Sequence, residues 1–449
     1  MGQSADRVER AYRVLSGDDS DERSCEAIPE GACSDVPRNF VLNVGNGALT
    51  KLAEQIAGPN LVLPWLLAGL GVPAAIIGFL MPAKQVGSLA PQLLVSGQIR
   101  RLSRRKWAWT AAGLAQALML VLIAAAALLL PPVSAGVAIL ILFTCFSLFS
   151  GVGSVAFQDV NGKTIPKGRR GRLLSMRAAI GGLLTVAAGL MLHYTFGESA
   201  GTGVYVGMVV LGAGLWAAAA GLFAAMDEQP GETAGGRSAW RELGLGMRIT
   251  REVPGYRRYL VTRALLLSVE LAMPFYALHG REVFGGEVAA LGVFIVTVGL
   301  ASVISSPIWG YFSDRSSRSV LGISGLLAAL AGVLALGIAA LPETIQSTWL
   351  YTSVFIVLGV AEAGVRLGRK TYLVDAAPAA ERPLYVAFSN TSIGLLAIAG
   401  GGMGVIAQVF GIHGLVLLLV LLGLAGAVSA WWMPEADNML DGASGQMNS

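Results

Sequence analysis

Gly310-Tyr-Phe-Ser-Asp314-Arg315-Ser-Ser-Arg318 is a short charged turn set between two apolar runs, roughly 288–309 and 320–341. Each run has the roughly 20 residues that a helix needs to cross ~30 Å of hydrocarbon. Outward from this turn the same alternation of apolar run and short gap repeats. Between Asn39 and about Pro434 it draws twelve spans, numbered in order: 39–67, 73–96, 107–130, 134–157, 173–194, 203–226, 259–279, 288–309, 320–341, 348–368, 385–410 and 412–433. Composition agrees. Of 449 residues 54% are apolar and only 13% are charged, about half the ~25% charge of soluble domains. Mean hydropathy is +0.65. A water-soluble enzyme is excluded, and so is a collagen-like or disordered chain, because the glycines follow no period and apolar runs dominate. The expected fold is an all-α membrane protein of twelve transmembrane helices.

Lys and Arg in the gaps set the orientation. The gaps after the even-numbered spans hold 21 of them, and those after the odd-numbered spans hold one, Arg281. The positive-inside rule then puts both termini in the cytoplasm. The pI near 9.0 reflects this placement and is no nucleic-acid footprint. Residues 1–38 carry nine acids against five Arg and read as a solvated cytoplasmic tail. They lack the apolar core of a signal peptide. Residues 434–449 form a second tail.

The longest gap, about 227–258, divides the spans six and six, which invites a search for a repeat. Gly97-(x)3-Arg101 before span 3 matches Gly310-(x)3-Asp314 before span 9 at an offset of 213. Pro166-(x)3-Arg170-Gly171 matches Pro378-(x)3-Arg382-Pro383 at 212. A Gly follows each Pro by sixteen residues, at Gly182 and Gly394, and Lys51 and Arg263 also stand 212 apart. A shared offset at independent places implies duplicated halves: residues 39–226 as one six-helix bundle, 227–258 as a central cytoplasmic loop, and 259–433 as a second, pseudo-symmetric bundle.

With twelve spans, a 6+6 repeat and a long central loop, the Gly310–Arg318 turn resembles the G-x-x-x-D-R-x-x-R signature of the major facilitator superfamily, over about 39–433. The Pro166-Lys-Gly-Arg-Arg170-Gly-Arg-Leu run also looks like that family's loop between spans 4 and 5. The resemblance implies two bundles rocking about a central cavity. It places Asp314 near Arg172 and Arg177 at the start of span 5, a contact that would latch one conformation. On physical grounds Gly310 would let two helices approach closely, and Asp314 would suit a helix N-terminus. Arg315 and Arg318 would fix the helix end at the headgroups. The first half departs from the signature: Arg101 stands where the acid belongs, so its latch is expected to be absent or rebuilt. Span 4 lacks an Arg and span 5 a Gly-Pro pair, marks common in the family's drug/proton antiporters.

A charge at the bilayer centre costs at least ~3 kcal/mol, so such residues are paired or functional. Lys51 and Glu54 lie near the middle of span 1, Lys84 at the middle of span 2, and Glu270 at the middle of span 7. Glu362 lies past the middle of span 10. Lys51 with Glu54 and Glu362 with Arg366 share helix faces by spacing, so those acids can stay ionised as pairs. Glu270 has no basic residue within four positions. Unless another helix supplies one, as in a cross-helix pair with Lys84 or Lys51, desolvation favours its neutral form, as proton coupling requires. Glu270 is therefore the first proton-site candidate, Glu54 the second and Glu362 the third. Arg263 and Arg366 lie nearer the cytoplasmic ends, where anchoring by snorkelling is the simpler reading. Lys51 and Lys84 suggest a substrate carboxylate or phosphate, with Asn43, Asn46, Gln55, Gln85 and Asn390 to orient it, although for any one of these amides interhelical hydrogen bonding is the simpler reading. His193, His279 and His413 fall at outer ends of spans and need no special role.

No cofactor or metal is expected: Cys25, Cys33 and Cys145 make no ligand cluster, and no Gly-x-x-x-x-Gly-Lys-Ser/Thr loop occurs. No catalytic constellation stands on adjacent turns, so an enzyme is not expected. The reading is a monomeric, proton-coupled secondary transporter of a small, possibly anionic, organic solute in a bacterial cytoplasmic membrane. Its partners are the substrate, protons and the bilayer, with no nucleic acid. The alternatives are a multidrug or metabolite efflux permease, a non-transporting sensor, or a lipid translocator.

Overall fold

The fold is taken from a computed structural model, which describes residues 2–16, 28, 30–89, 95, 98–99, 101–166, 169–195, 201–230, 239–284, 288–313, 315–342, 344–378 and 381–440. Nine described helices are long and apolar enough to cross a bilayer, and one of them, Leu384–Trp432, has 49 residues. That helix is two spans joined at Gly411, whose φ of 75° only glycine adopts without strain. Spans 1 and 2 complete the twelve, and both are broken. Span 1 runs Val36–Ile56 and Val62–Gly69, interrupted at Gly58-Pro59-Asn60. Span 2 runs Ala74–Ile77 and Leu80–Leu89, because Pro82 has no N–H for the Gly78 carbonyl. Irregular backbone at this depth is tolerated where it lines a cavity.

The remaining spans are Lys106–Leu129, Pro132–Thr164, Arg170–Thr195, Thr202–Ala224, Pro254–Phe284, Val288–Ser313, Ser317–Ala339 and Thr348–Ala376, then Arg382–Gly400 continuing into Gly402–Trp432. Their packing is two-fold. Spans 3·4, 3·6, 1·6, 2·4 and 1·5 pack in the first bundle, and 9·10, 9·12, 7·12, 8·10 and 7·11 in the second. The bundles meet through spans 5·8 and 2·11. The repeat glycines fall on those two seams: a Cβ on Gly182 would lie 2.8 Å from Val303, and one on Gly394 would lie 3.4 Å from Leu89.

The N-terminal segment is not merely a solvated tail. Gly2–Ser16 is a helix whose buried Tyr12 packs edge-on against Phe40, ring centroids 5.4 Å apart. Arg172 donates to its Leu15 carbonyl. One apolar stripe of the helix is thus covered by spans 1 and 5, which polar composition alone concealed. In the central loop, Ala239–Glu252 is helical and sets Gly246 against Phe388 of span 11.

The face opposite the basic loops, here the far side, is where the bundles touch most closely. A Cβ on Gly78 would lie 2.5 Å from the Gly404 Cα, and one on Gly292 would lie 2.7 Å from the Gly189 carbonyl. Arg281, the lone cation of the odd gaps, donates across the seam to the Trp65 carbonyl at 2.8 Å. A Gly78→Leu change has no room here, so it is expected to hold the far side open. Thiol labelling of cysteines placed along the far-side seam would rise several-fold. Unchanged labelling would show that the contact is not closed in the membrane.

Candidate functional site: a charged cavity on the bundle seam

Lys51, Glu54, Gln55, Asn60 and Lys84 from the first bundle meet Val298, Gly359, Glu362 and Arg366 from the second around a cavity of about 70 Å³. Its position follows from helix breaks and spacing. Lys51, Glu54 and Gln55 end the first segment of span 1, and Asn60 stands in the break that follows. Glu362 and Arg366 lie one turn apart, 3.8 Å between Nη1 and Oε1. Lys51 lies within Coulomb range of Glu54, Glu362, Arg366 and Lys84. Among the described residues no carboxylate is within ion-pair distance of Lys51 or Lys84. The side-chain carbonyl oxygens of Gln55 and Asn60 are buried without a partner among the described residues. Three cations face two acids, with spare acceptors beside them. A space of about 70 Å³ is far below the ~300 Å³ or more of a small-molecule pocket, so an organic solute enters only when the bundles part.

Five of the sequence candidates meet in this cavity: Lys51, Glu54, Gln55, Lys84 and Glu362. Arg366 joins them and is not a snorkelling anchor. Its place was legible in the spacing, since it shares the face of Glu362. Asn60 was missed because its span was read as one unbroken helix.

Glu270 finds a basic partner on another helix. It is buried, and Arg369 of span 10 lies 3.1 Å from its Oε1 while Gln85 of span 2 donates to Oε2 at 2.9 Å. The basic partner that its own helix lacks is thus supplied by a cation 99 residues away in the chain. Gln85 is spent on that contact and bridges the bundles. Arg263 is also buried within protein, donating to Ser389 and Asn390. Asn390 therefore holds an arginine and not the cavity. Asn43 and Asn46 likewise accept from Arg177, and Asn46 donates to the Ala219 carbonyl.

The expected latch falls partly outside what the structure describes. Asp314 and Gly97 lie outside the described residues. A Cβ on Gly310 would meet nothing within 4 Å, so that glycine does not serve close approach. Arg315 stacks on Tyr311 and donates to its hydroxyl, and Arg101 is exposed. Arg177 is held inside the first bundle by Asn43, and exposed Arg172 donates to the Leu15 carbonyl of the N-terminal helix. Each bundle instead ties the start of its third helix to the end of its sixth. Lys106 donates to the Ala224 and Met226 carbonyls, and its backbone N–H donates to Glu228 at 2.7 Å. Arg318 donates to the Met433 carbonyl and pairs with Glu435 at 2.7 Å. Cations at helix C-termini complement the dipole. The signal was present as Met226-Asp-Glu228 and Met433-Pro-Glu435 and was overlooked, because its offset differs from the 212–213 of the other matches.

Twelve helices in two pseudo-symmetric bundles, with a charged cavity on their seam, define a membrane transporter fold. Residues 258–443 match the sequence profile of the Major Facilitator Superfamily. The chain is 27% identical over 412 residues to the uncharacterized protein Rv2209 of Mycobacterium tuberculosis, covering 89% of this chain and 78% of that one. It is 26% identical over 188 residues to the inner membrane transport protein YajR of Escherichia coli, 40% and 39% of the two chains. In fold it is similar to a mutant form of the nucleoside transporter NupG (TM-score 0.69, 14% identity, 87% and 99% covered) and to the D-xylose-proton symporter (0.67, 14%, 90% and 99%). The second half of the chain is thus similar in sequence to the major facilitator superfamily, and the whole chain is similar in fold to these transporters.

Proposed function

We infer that this chain is a proton-coupled secondary transporter that moves a small organic anion by alternating access, with both termini in the cytoplasm of a bacterial cell. One observation carries the reading: Lys51, Lys84 and Arg366 share a seam cavity with only Glu54 and Glu362. Unpaired ammonium groups at membrane depth are costly, and an anionic substrate would offset that cost. The basic side of the seam continues the excess, with Arg263, Arg369 and Lys370 acting on one another around Glu270. Coupling follows from the cavity's own charges. An anion that takes Arg366 and Lys51 leaves Glu362 without its counter-charge, and the carboxyl balances by binding a proton. Rocking of 39–226 against 259–433 then carries both across. The bacterial cytoplasmic membrane and a monomeric state belong to this reading.

The test is uptake and counterflow of radiolabelled small carboxylates and phosphate esters by purified protein in liposomes, with an imposed pH gradient. Gradient-driven accumulation of at least one anion is expected, falling severalfold in Glu362→Gln while exchange persists. Equal movement of neutral and anionic solutes, insensitive to the gradient, would overturn it.

A further inference from the structure

Span 10 carries its charges on one face. Glu362, Arg366, Arg369 and Lys370 stand at i, i+4, i+7 and i+8, a stripe that runs ~12 Å from the seam cavity toward the basic side. Glu362 and Arg366 line the cavity. The other two lie beyond it, and with Arg263 of span 7 they make a second group of charges. Arg263 is within Coulomb range of Arg369 and Glu270, and Lys370 is within Coulomb range of Arg369, Arg366, Glu270 and Arg263. Glu270 is the one carboxylate in that set, so three cations face one acid. Both of its oxygens are already taken, Oε1 by Arg369 at 3.1 Å and Oε2 by the Gln85 amide. Among the described residues no carboxylate is within ion-pair distance of Arg263 or Lys370.

The donors of this group are not used up. Arg263 is 5% exposed. One of its terminal nitrogens donates to Ser389 and the other to Asn390 at 2.8 Å, while its Nε is buried with no partner among the described residues. Arg369 spends Nη1 on Glu270, and its Nε is likewise buried and unpartnered. Tyr259 donates to the Arg369 carbonyl at 3.0 Å, which fixes span 10 against span 7 and with it the two guanidiniums. Lys370, one residue nearer the basic loops, is exposed. Buried N–H groups are ordinarily satisfied, so each leftover guanidinium donor points to an acceptor. The excess of two positive charges points to a negative one. A carboxylate or phosphate oxygen is both.

We propose that Arg263, Arg369 and Lys370 form a second oxyanion site about one helical turn from the seam cavity, and that the substrate is a short dianion bridging the two. Arg366 links them. It lines the cavity and is within Coulomb range of Lys370, ~6 Å further along the same face. A monoanion held at Lys51, Lys84 and Arg366 leaves the second excess unmatched in a medium of low dielectric. A dianion whose acid groups are two methylenes apart sets one on each group of cations. One face of one helix then holds both ends, which selects for length as well as charge. This rests on the organic-anion reading of the cavity given above and names the class of anion.

The experiment is calorimetric titration of the purified full-length protein in detergent at pH 8, with succinate and its monomethyl ester as probes. The two share a backbone, and at that pH they carry two charges and one. Succinate is expected to bind about tenfold more tightly or better, one molecule per chain, since a second set of charge-assisted hydrogen bonds is at stake. That preference should fall at least threefold in Lys370→Gln, whose side chain is exposed, and vanish in Arg263→Gln. Size-exclusion chromatography checks that the buried variant is folded; should it not be, Lys370→Gln decides. Equal affinity for the two probes, a preference that Lys370→Gln leaves unchanged, or two succinates per chain would overturn the bridge. Lys84→Ala separates the two readings. If it weakens the ester while the parent shows no preference for succinate, the cavity binds anions and only the second site fails. If neither probe binds the parent, the organic-anion reading fails as well.

Discussion

Lys84→Ala is expected to weaken transport of an organic anion about 10- to 100-fold, because a hydrogen bond to a charged group contributes about 1.5–3 kcal/mol and each 1.4 kcal/mol is tenfold. The loss should fall on affinity, with exchange of a neutral solute unaffected. The reason is local. Lys84 lines the seam cavity beside Lys51 and Arg366, and no described carboxylate is close enough to neutralise it. Lys84→Arg keeps the charge but changes its shape, and should recover part of the affinity. Concentration-dependent uptake in liposomes would measure this. Equal loss for neutral and anionic solutes would mean that Lys84 supports the helix and not the substrate.

Arg369→Ala is expected to destabilise the folded protein by about 3–5 kcal/mol, the cost of leaving a buried charge without its partner. Glu270 is 7% exposed and would keep only the Gln85 amide. The double change Glu270→Gln with Arg369→Gln removes both charges and should restore most of that stability. Thermal unfolding in detergent, followed by size-exclusion chromatography, would show it. Should Glu270→Gln alone be fully stable and lose gradient-driven uptake while keeping exchange, Glu270 would be the coupling acid and the pair reading would fall. The surface pair Arg248–Glu252 gives a useful contrast, since solvent screens it and its loss should leave stability almost unchanged.

The architecture was legible because it is one-dimensional information. Apolar length, Lys and Arg in alternate gaps, and a shared offset all lie along the chain. The seam glycines Gly182 and Gly394 could be found that way, and both sit where the bundles touch. Lys51, Glu54, Lys84 and Glu362 were legible for a related reason: a charge at membrane depth is conspicuous whatever its neighbours. What sequence does not carry is the rotation of one helix against another. Arg369 looked like a loop cation and instead reaches Glu270. Asn43, Asn46 and Asn390 could each orient a substrate or bond between helices, and each accepts from an arginine of another helix. Span 1 was drawn as one helix, which hid Asn60. His279, at the end of span 7, is buried and not exposed, because the Tyr351 ring from span 10 lies over it.

The central claim is that the deep charges share one wet, electropositive chamber between the bundles. Thiol chemistry at Glu362→Cys, with Cys145 and the other native cysteines replaced, tests it most directly. The rates of two small membrane-impermeant methanethiosulfonates, one anionic and one cationic, would be compared from the basic-loop side. The account predicts that both react, and that the anionic reagent reacts several-fold faster because Lys51, Lys84 and Arg366 remain. A cysteine that reacts with neither reagent, or faster with the cation, would contradict it.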